Sequence, residues 1–148
     1  MLGACATTAH VESHPPVLPE PSAARLMIES AMSMIGQPYR YGGAAPGGFD
    51  CSGLVLYAAT SAGISVPRTA AEQMAFGVAV ARPDLQAGDL VFMHLSHKEL
   101  HVAIAIDRQL FVHAPSSGGR MRVDSLLAPP YAQGFIAARR VVSSAAPH

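Results

Sequence analysis

Apolar residues recur at helical spacing in two stretches of the first half of the chain. The first stretch follows Ser22, whose hydroxyl is suited to cap a helix, and we predict a helix from there to about residue 35, just before Gly36. The second stretch follows Asp50, which is also a favoured N-cap residue, and it ends before Gly63. Its inward face is predicted to comprise Cys51, Leu54, Val55, Ala58 and Ala62.

The hydrophobic pattern changes from helical spacing to alternation after Gly77. Before that point, Thr69 and Glu72 have the spacing of a capping box, which predicts a short third helix. Beyond it, strands are predicted over residues 89–93, 101–106, 110–113 and about 135–142. Helices that precede a run of strands are typical of α+β folds, so we expect the helices to pack on an antiparallel sheet.

The two ends of the chain differ from its middle. Residues 1–21 are rich in proline and are predicted to form a disordered tether, followed by one domain over residues 22–143 and a disordered tail over residues 144–148. Within the tether, Leu2-Gly3-Ala4-Cys5 resembles the lipobox of bacterial lipoproteins, although the charged and apolar regions of a signal peptide do not precede it. Either the chain begins inside a longer precursor and Cys5 is the residue lipidated after signal cleavage, as a membrane anchor, or the match is chance and Cys5 belongs to an unremarkable disordered tail.

Composition narrows the classes of function. Half of the 148 residues are hydrophobic and 14% are charged, which indicates one folded domain. Lys plus Arg equals Asp plus Glu at 10 each, so no basic excess favours nucleic acid as a partner. No apolar run reaches about 18 residues, so no membrane span is predicted. The two cysteines, Cys5 and Cys51, lie in the tether and in the second helix, and we expect no disulfide between them.

Two of the predicted strands form a hairpin that brings two histidines together. Alternation places His101, Ala103 and Ala105 on one face, and a turn near residue 108 pairs Ala103 with His113. The two imidazole rings then lie side by side. We expect the second helix to dock on the alanine face, with Cys51 against His101. Its N-terminus favours an anion, which predicts a lowered pKa for the thiol. A cysteine nucleophile with a histidine base and an orienting group is suited to acyl transfer.

The same residues permit other interpretations. Cys51 has the character of a small core residue, and both histidines fit structural roles. Zinc binding by Cys51, His101 and His113 is disfavoured because the short paired spacings of structural zinc sites are missing, so no metal is predicted. His94 and His97 lie in a polar loop before the hairpin and are interpreted as groove rim or plain surface.

Six short motifs resemble those of the NlpC-type family of bacterial cell-wall cysteine peptidases, in the family's order, over about residues 25–142. The motifs are Tyr39-Arg40-Tyr41-Gly42-Gly43, Phe49-Asp50-Cys51-Ser52-Gly53, Pro67-Arg68-Thr69 with Glu72-Gln73, Ala87-Gly88-Asp89-Leu90-Val91-Phe92, His101-Val102-Ala103-Ile104 and Phe111-Val112-His113-Ala114. The resemblance implies a papain-like α+β fold in which the nucleophile helix packs on an antiparallel sheet. It also implies that Cys51 is the nucleophile, His101 the base and His113 the third polar residue, while the Tyr39 hydroxyl helps to stabilise the oxyanion.

The resemblance further implies a substrate. In similar enzymes the residues that flank the nucleophile, here Asp50 and Ser52, recognise the free amine of an L-Ala-γ-D-Glu stem peptide, and an arginine that matches Arg68 lies near the groove. The bond usually cleaved joins γ-D-Glu to a diamino acid. We therefore expect a periplasmic peptidoglycan hydrolase of the bacterial envelope that forms an acyl-enzyme, needs no cofactor and is a monomer. Ala70 replaces a common serine and Ala103 a common glycine, so the stem-peptide preference stays open.

Rival functions also stay open. A peptidoglycan amidase, which cuts at the sugar–peptide junction, and a thiol acyltransferase share the combination of a cysteine helix and a histidine strand. A non-catalytic envelope protein that binds peptidoglycan is the third hypothesis. The complete set of Cys51, His101, His113 and Tyr39 disfavours it.

Overall fold

The fold is built around a six-stranded antiparallel sheet with the longer helices on one of its faces. The computed structural model describes residue 3 and residues 22–95, 99–116 and 118–142. In chain order its elements are α1 (Ala23–Met32), β1 (Ala44–Ala45), β2 (Gly48–Phe49), α2 (Cys51–Ser61), α3 (Ala70–Met74), β3 (Val78–Ala79), a 3₁₀ turn (Arg82–Asp84), β4 (Leu90–His94), β5 (Leu100–Ala105), β6 (Leu110–His113), β7 (Arg122–Ser125), α4 (Tyr131–Gly134) and β8 (Phe135–Arg140). The strands of the large sheet follow the order β3-β8-β4-β5-β6-β7, and β1 pairs with β2 separately.

The first three helices begin at the residues predicted to cap them. The side chains of Ser22, Asp50 and Thr69 each accept a hydrogen bond from the backbone N–H three residues later, at 3.1, 2.6 and 3.2 Å. These bonds satisfy N–H groups that have no partner within the helix. Within the ranges that the structure describes, no helix combines the length and the apolar character needed to span a membrane.

The four predicted strands correspond to β4, β5, β6 and β8, and the predicted hairpin register is confirmed. Ile104 lies opposite Val112 and Ala105 opposite Phe111, and the same register extended by one residue places Ala103 opposite His113. The three two-residue strands β1, β2 and β3, the helix α4 and the strand β7 were not predicted. The sequence of β7, Arg-Val-Asp-Ser, contains one apolar residue and therefore lacks the alternation that marks a half-buried strand.

The predicted docking face of α2 was wrong. α2 packs on the opposite face of the sheet, where its buried residues share a core with Val102 and Ile104 of β5 and with residues of β4 and β6. Phe111 of β6 lies beside Ala105 on the Ala103 and Ala105 face, and Leu126 and Tyr131 cover that face instead. The physical reason is that both faces of the sheet are buried. The segment after β6, which contributes Leu126 and Tyr131, packs into the space above the small alanine side chains.

Candidate active site

Cys51 is the first residue of α2, and a tight glycine contact holds this end of the helix. The Asp50 carboxylate caps the helix through the Gly53 N–H at 2.6 Å. A Cβ on Gly53 would lie 1.9 Å from the carbonyl oxygen of Gly43. The helix can therefore approach residues 42–48, called here the glycine loop, only because residue 53 has no side chain. Cys51 is half-buried and carries a free thiol.

The surroundings of the thiol do not give the lowered pKa that we predicted. Burial raises the pKa of the Cys51 thiol, and the nearby negative charge of Asp50 adds to this effect. Hydrogen bonds with the backbone of Val102, Ser52 and Cys51 itself favour the thiolate but are outweighed. At neutral pH the group is therefore a neutral thiol, which needs a base to become a nucleophile.

The backbone of β5 directs one N–H group towards this thiol. The Ala105 N–H donates to the Asp89 carbonyl at 2.8 Å, on the side of β4. Successive N–H groups of a strand point to opposite sides, so the Val102 N–H points towards β6. The pairing of β5 with β6 covers Ile104 and Ala105, and the Val102 N–H lies beyond it, where it favours the thiolate form of Cys51. Cys51 packs against the core that contains Val102, the residue that follows His101.

His101 and His113 are in direct contact through their ring nitrogens. Nε2 of His101 lies 2.8 Å from Nδ1 of His113, and the two rings meet edge to face. Burial, with a smaller effect of the neighbouring His113, lowers the pKa of His101 to about 3. His101 is thus an uncharged imidazole at neutral pH, able to accept a proton.

Asp124, which was not among the predicted site residues, contacts the second histidine through its carboxylate. His113 is 1% exposed, and its Nε2 lies 2.7 Å from Oδ2 of Asp124 on β7. Burial lowers the pKa of His113, although the hydrogen bond with Asp124 acts in the opposite direction. Asp124 was missed because β7 was not predicted as a strand. Once β7 pairs with β6, Arg122 lies opposite His113 and Asp124 is its diagonal neighbour, within side-chain reach.

Tyr39 lies on the chain segment before the glycine loop, where its backbone bridges to Phe49 and its N–H donates to the Gly119 carbonyl at 2.9 Å. Burial raises the pKa of its hydroxyl, and the charges of Cys51 and Asp50 raise it further. The hydroxyl is therefore within electrostatic reach of Cys51, and it stays protonated as a hydrogen-bond donor.

The remaining predicted site residues form one polar cluster beside Cys51. Arg68 donates to both oxygens of the Asp50 carboxylate, at 3.1 and 2.9 Å, and to the Ser52 hydroxyl at 2.9 Å. Gln73, which the sequence analysis gave no role, donates to the backbone carbonyls of Ser52 and Pro67 at 3.2 and 2.8 Å. It ties the first turn of α2 to the loop that carries Arg68.

The remaining predicted positions are His94, His97 and Cys5. His94 is exposed at the end of β4. His97 and Cys5 lie outside the described residues, as do most of the predicted tether and the predicted tail. Among the side chains that the structure does place, no three His, Cys, Asp or Glu residues come together in a way that could hold a metal ion.

The chain is similar to known proteins over most of its length. The model of the NlpC/P60 family matches residues 36–140. The murein DD-endopeptidase MepH of Escherichia coli K12 is 35% identical over 127 residues, which cover 82% of this chain and 47% of that protein. The gamma-D-glutamyl-L-lysine dipeptidyl-peptidase of Bacillus subtilis 168 is 30% identical over 131 residues, which cover 86% of this chain and 44% of that protein.

Solved structures agree with the family match. The crystal structure of an NlpC/P60 family protein from Bacillus cereus ATCC 10987 superposes with a TM-score of 0.76 at 32% identity, over 81% of this chain and 40% of that one. This likeness confirms the predicted papain-like arrangement of helices on an antiparallel sheet. The chain spans less than half the length of each of these three proteins.

Proposed function

We propose that this chain, which belongs to the NlpC/P60 family, is a cysteine peptidase that hydrolyses stem peptides of peptidoglycan in the bacterial envelope. The observation that carries the proposal is the 2.8 Å contact between His101 Nε2 and His113 Nδ1. The residue after His101 is Val102, whose backbone favours the thiolate form of Cys51. A thiol, an uncharged imidazole and a second imidazole that orients the first are the parts that thiol-dependent acyl transfer requires.

In the first half of the proposed reaction, His101 removes the proton from Sγ of Cys51 as the sulfur attacks the carbonyl carbon of the scissile amide. The carbonyl oxygen becomes an oxyanion, and the protonated Tyr39 hydroxyl is suited to donate a hydrogen bond to it. The tetrahedral intermediate collapses when the C–N bond breaks. The departing nitrogen takes the proton from His101, and the acyl group stays on sulfur as a thioester.

The second half of the reaction restores the enzyme. His101 takes a proton from a water molecule, whose oxygen attacks the thioester carbonyl. The C–S bond then breaks, the sulfur regains its proton from His101, and the product leaves as a carboxylic acid that ionises in water. Because Cys51 and His101 are both uncharged at rest, each proton is transferred while the substrate is bound.

The names of the relatives support a peptidoglycan substrate but point to two different bonds. One relative is named a murein DD-endopeptidase and another a gamma-D-glutamyl-L-lysine dipeptidyl-peptidase. We favour the bond between γ-D-Glu and the diamino acid, with Asp50, Ser52 and Arg68 as the cluster that recognises the substrate. The lipid anchor on Cys5 remains a prediction from the sequence.

One observation favours a second candidate, a DD-endopeptidase activity that cuts the cross-link between stem peptides. Both oxygens of the Asp50 carboxylate are already paired with Arg68, and Oδ1 also accepts from Gly53 and Ser52. A stem peptide with a free amine would have to compete for this carboxylate. Comparing a stem peptide with its N-acetylated form separates the two candidates. Recognition of the amine by Asp50 predicts a higher KM after acetylation, whereas an unchanged KM favours the cross-link bond.

The proposal is tested by digesting purified peptidoglycan with the wild-type protein and with Cys51→Ala, and by measuring the masses of the fragments. We expect the wild type to release fragments cut within the stem peptide, and Cys51→Ala to release none while keeping the same thermal unfolding midpoint. Intact stem peptides freed from the sugar would show an amidase instead. Equal digestion by both proteins would exclude Cys51 as the nucleophile.

A further inference from the structure

We propose that Asp124 is a positioning residue that determines, through His113, which ring nitrogen of His101 takes the proton from the Cys51 thiol. Neither the predicted site nor the family resemblance includes this carboxylate. The inference concerns proton positions in the resting protein, and its importance for catalysis rests on the proposed cysteine-peptidase function. It follows from two short contacts and the chemistry of the groups that make them.

The first contact fixes the proton of His113. An ionised carboxylate has no proton to donate, so the hydrogen atom in the 2.7 Å contact belongs to Nε2 of His113. Burial alone would raise the pKa of Asp124, but hydrogen bonds from Arg122 and His113 outweigh it and lower the pKa. Asp124 is therefore ionised at neutral pH. An uncharged His113 with its proton on Nε2 has a bare Nδ1.

The second contact determines which ring nitrogen of His101 carries the proton. Bare Nδ1 of His113 accepts a hydrogen bond, so the proton in the 2.8 Å contact belongs to Nε2 of His101. The lone pair of an uncharged His101 is then on Nδ1, which becomes the basic atom. The opposite choice of protons would leave the lone pair of His113 Nε2 facing the Asp124 carboxylate. A buried contact between two acceptors is unfavourable, because neither group can satisfy the other.

The surroundings of Asp124 and His113 hold this arrangement in place. Oδ2 of Asp124 also accepts from Nε of Arg122 at 2.7 Å and from the Tyr131 hydroxyl at 3.2 Å. The guanidinium of Arg122 donates to that hydroxyl in turn, at 3.2 Å. The rings of Phe111 and Tyr131 contact the His113 ring edge to face, with centroids 4.8 and 5.5 Å away. The carboxylate and the imidazole are therefore both restrained in orientation.

The test is long-range ¹⁵N–¹H NMR of the imidazole rings at neutral pH without substrate, for the wild type, Asp124→Ala and Asp124→Asn. We expect both rings of the wild type to carry the proton on Nε2. Asp124→Ala should give mixed tautomers in both rings. Asp124→Asn should keep the wild-type tautomers, because its side-chain oxygen still accepts from His113. A proton on Nδ1 of either ring in the wild type would overturn the proposal.

Peptidoglycan cleavage supplies the second readout. Asp124→Ala should lower kcat on the order of 10²-fold, the lower end of what a general base contributes, with little change in KM. Asp124→Asn should retain most of the wild-type kcat. Asp107→Ala is the matched control, because it removes an acceptor from the same hairpin, at the turn where Asp107 binds the N–H groups of Gln109 and Leu110. It should leave the tautomers and kcat unchanged.

The two readouts separate failure of this inference from failure of the proposed function. If the tautomers respond as expected but the wild type cleaves no peptidoglycan, the role of Asp124 stands and the substrate proposal fails. If the wild type cleaves peptidoglycan while Asp124→Ala changes neither the tautomers nor kcat, the role of Asp124 is refuted. Equal loss of kcat in Asp124→Ala and Asp124→Asn with unchanged tautomers would show a structural role and also refute it.

Discussion

Arg68 donates to both oxygens of the Asp50 carboxylate, with Nη1 3.1 Å from Oδ1 and Nη2 2.9 Å from Oδ2. This two-point contact joins Asp50, which caps α2, to the loop before α3. The planar guanidinium matches the geometry of a carboxylate in a way that an ammonium group does not. Arg68 therefore holds the start of α2 as well as bordering the site.

Arg68→Ala is expected to destabilise the fold modestly, and Arg68→Lys is not expected to restore the loss. The Arg68 side chain is 38% exposed, so solvent screening limits the pair to about 1 kcal/mol. Urea unfolding measures this change. Arg25→Ala is a matched control because Arg25 pairs with Glu29 on an exposed helix face, at 65% and 55% exposure. An equal effect of Arg25→Ala and Arg68→Ala would contradict the account.

Gly53→Ala is expected to disturb the start of α2. The added Cβ would lie 1.9 Å from the Gly43 carbonyl oxygen, and both partners are backbone, so the helix or the loop must shift. Overpacking of this kind is unfavourable by about 1–3 kcal/mol. Thermal and urea unfolding measure the loss, and kcat should fall with it because Cys51 moves. Thr60→Ala, at an exposed position of the same helix, should be near neutral, and a neutral Gly53→Ala would disprove the close contact.

Tyr39→Phe is expected to lower kcat and to leave stability and KM nearly unchanged. Phenylalanine keeps the ring that packs against the core but lacks the hydroxyl that we propose as an oxyanion donor. Loss of one such donor lowers kcat by about 10²–10³-fold in well-studied enzymes. Steady-state kinetics on a soluble stem peptide measures it. Tyr41→Phe removes the same atom from a side chain that is 92% exposed and should have no effect. Equal kcat values for the two variants would rule out the donor role.

Stability is expected to decrease as the pH falls below about 6.5, the ordinary pKa of histidine. Burial lowers the pKa of His101 to about 3 and also lowers that of His113. Within this window the unfolded chain binds more protons than the folded protein, so acid favours unfolding. With its pKa lowered to about 3, His101 alone should remove about 1 kcal/mol between about pH 7.5 and 5.5, and His113 acts in the same direction. The pKa values of Asp50, Asp107 and Asp124 are lowered, so these three carboxyl groups contribute little to this interval.

Urea unfolding at about pH 7.5 and 5.5 measures this loss of stability. His101→Gln should reduce the pH dependence, since one of the two buried histidines is gone. His94→Gln, at an exposed ring, should leave it as in the wild type. The same pH dependence in His101→Gln and in the wild type would contradict the assignment of the effect to His101.

The elements that position Cys51 and the histidines were predictable because local signals agree with the tertiary structure there. Asp50 caps the helix that it was predicted to cap, and the turn between His101 and His113 sets the register that pairs their strands. The side of the sheet on which α2 docks was not predictable. Both faces of β5 are apolar and buried, so alternation could not choose between them.

The features that depend on contacts distant in sequence were the hardest to predict. Asp124 lies on a strand of mostly polar residues, and its role depends on pairing with β6. The raised pKa of Cys51 arises from burial under elements that the sequence does not place. The position of Cys51 at the N-terminus of α2 predicted a lowered pKa, because that argument considers the helix alone. Local chemistry therefore identified the candidate site residues, whereas their ionisation depends on packing.

The measurement that tests the central claim most directly is alkylation of Cys51 in a Cys5→Ser background, where it is the chain's one remaining thiol. Samples treated with iodoacetamide for increasing times are divided. One part is assayed for peptidoglycan cleavage, and the other is analysed by mass spectrometry for the fraction of Cys51 modified. The account predicts that untreated Cys5→Ser is fully active and that activity falls in direct proportion to the unmodified fraction. Full modification of Cys51 with retained cleavage would contradict it.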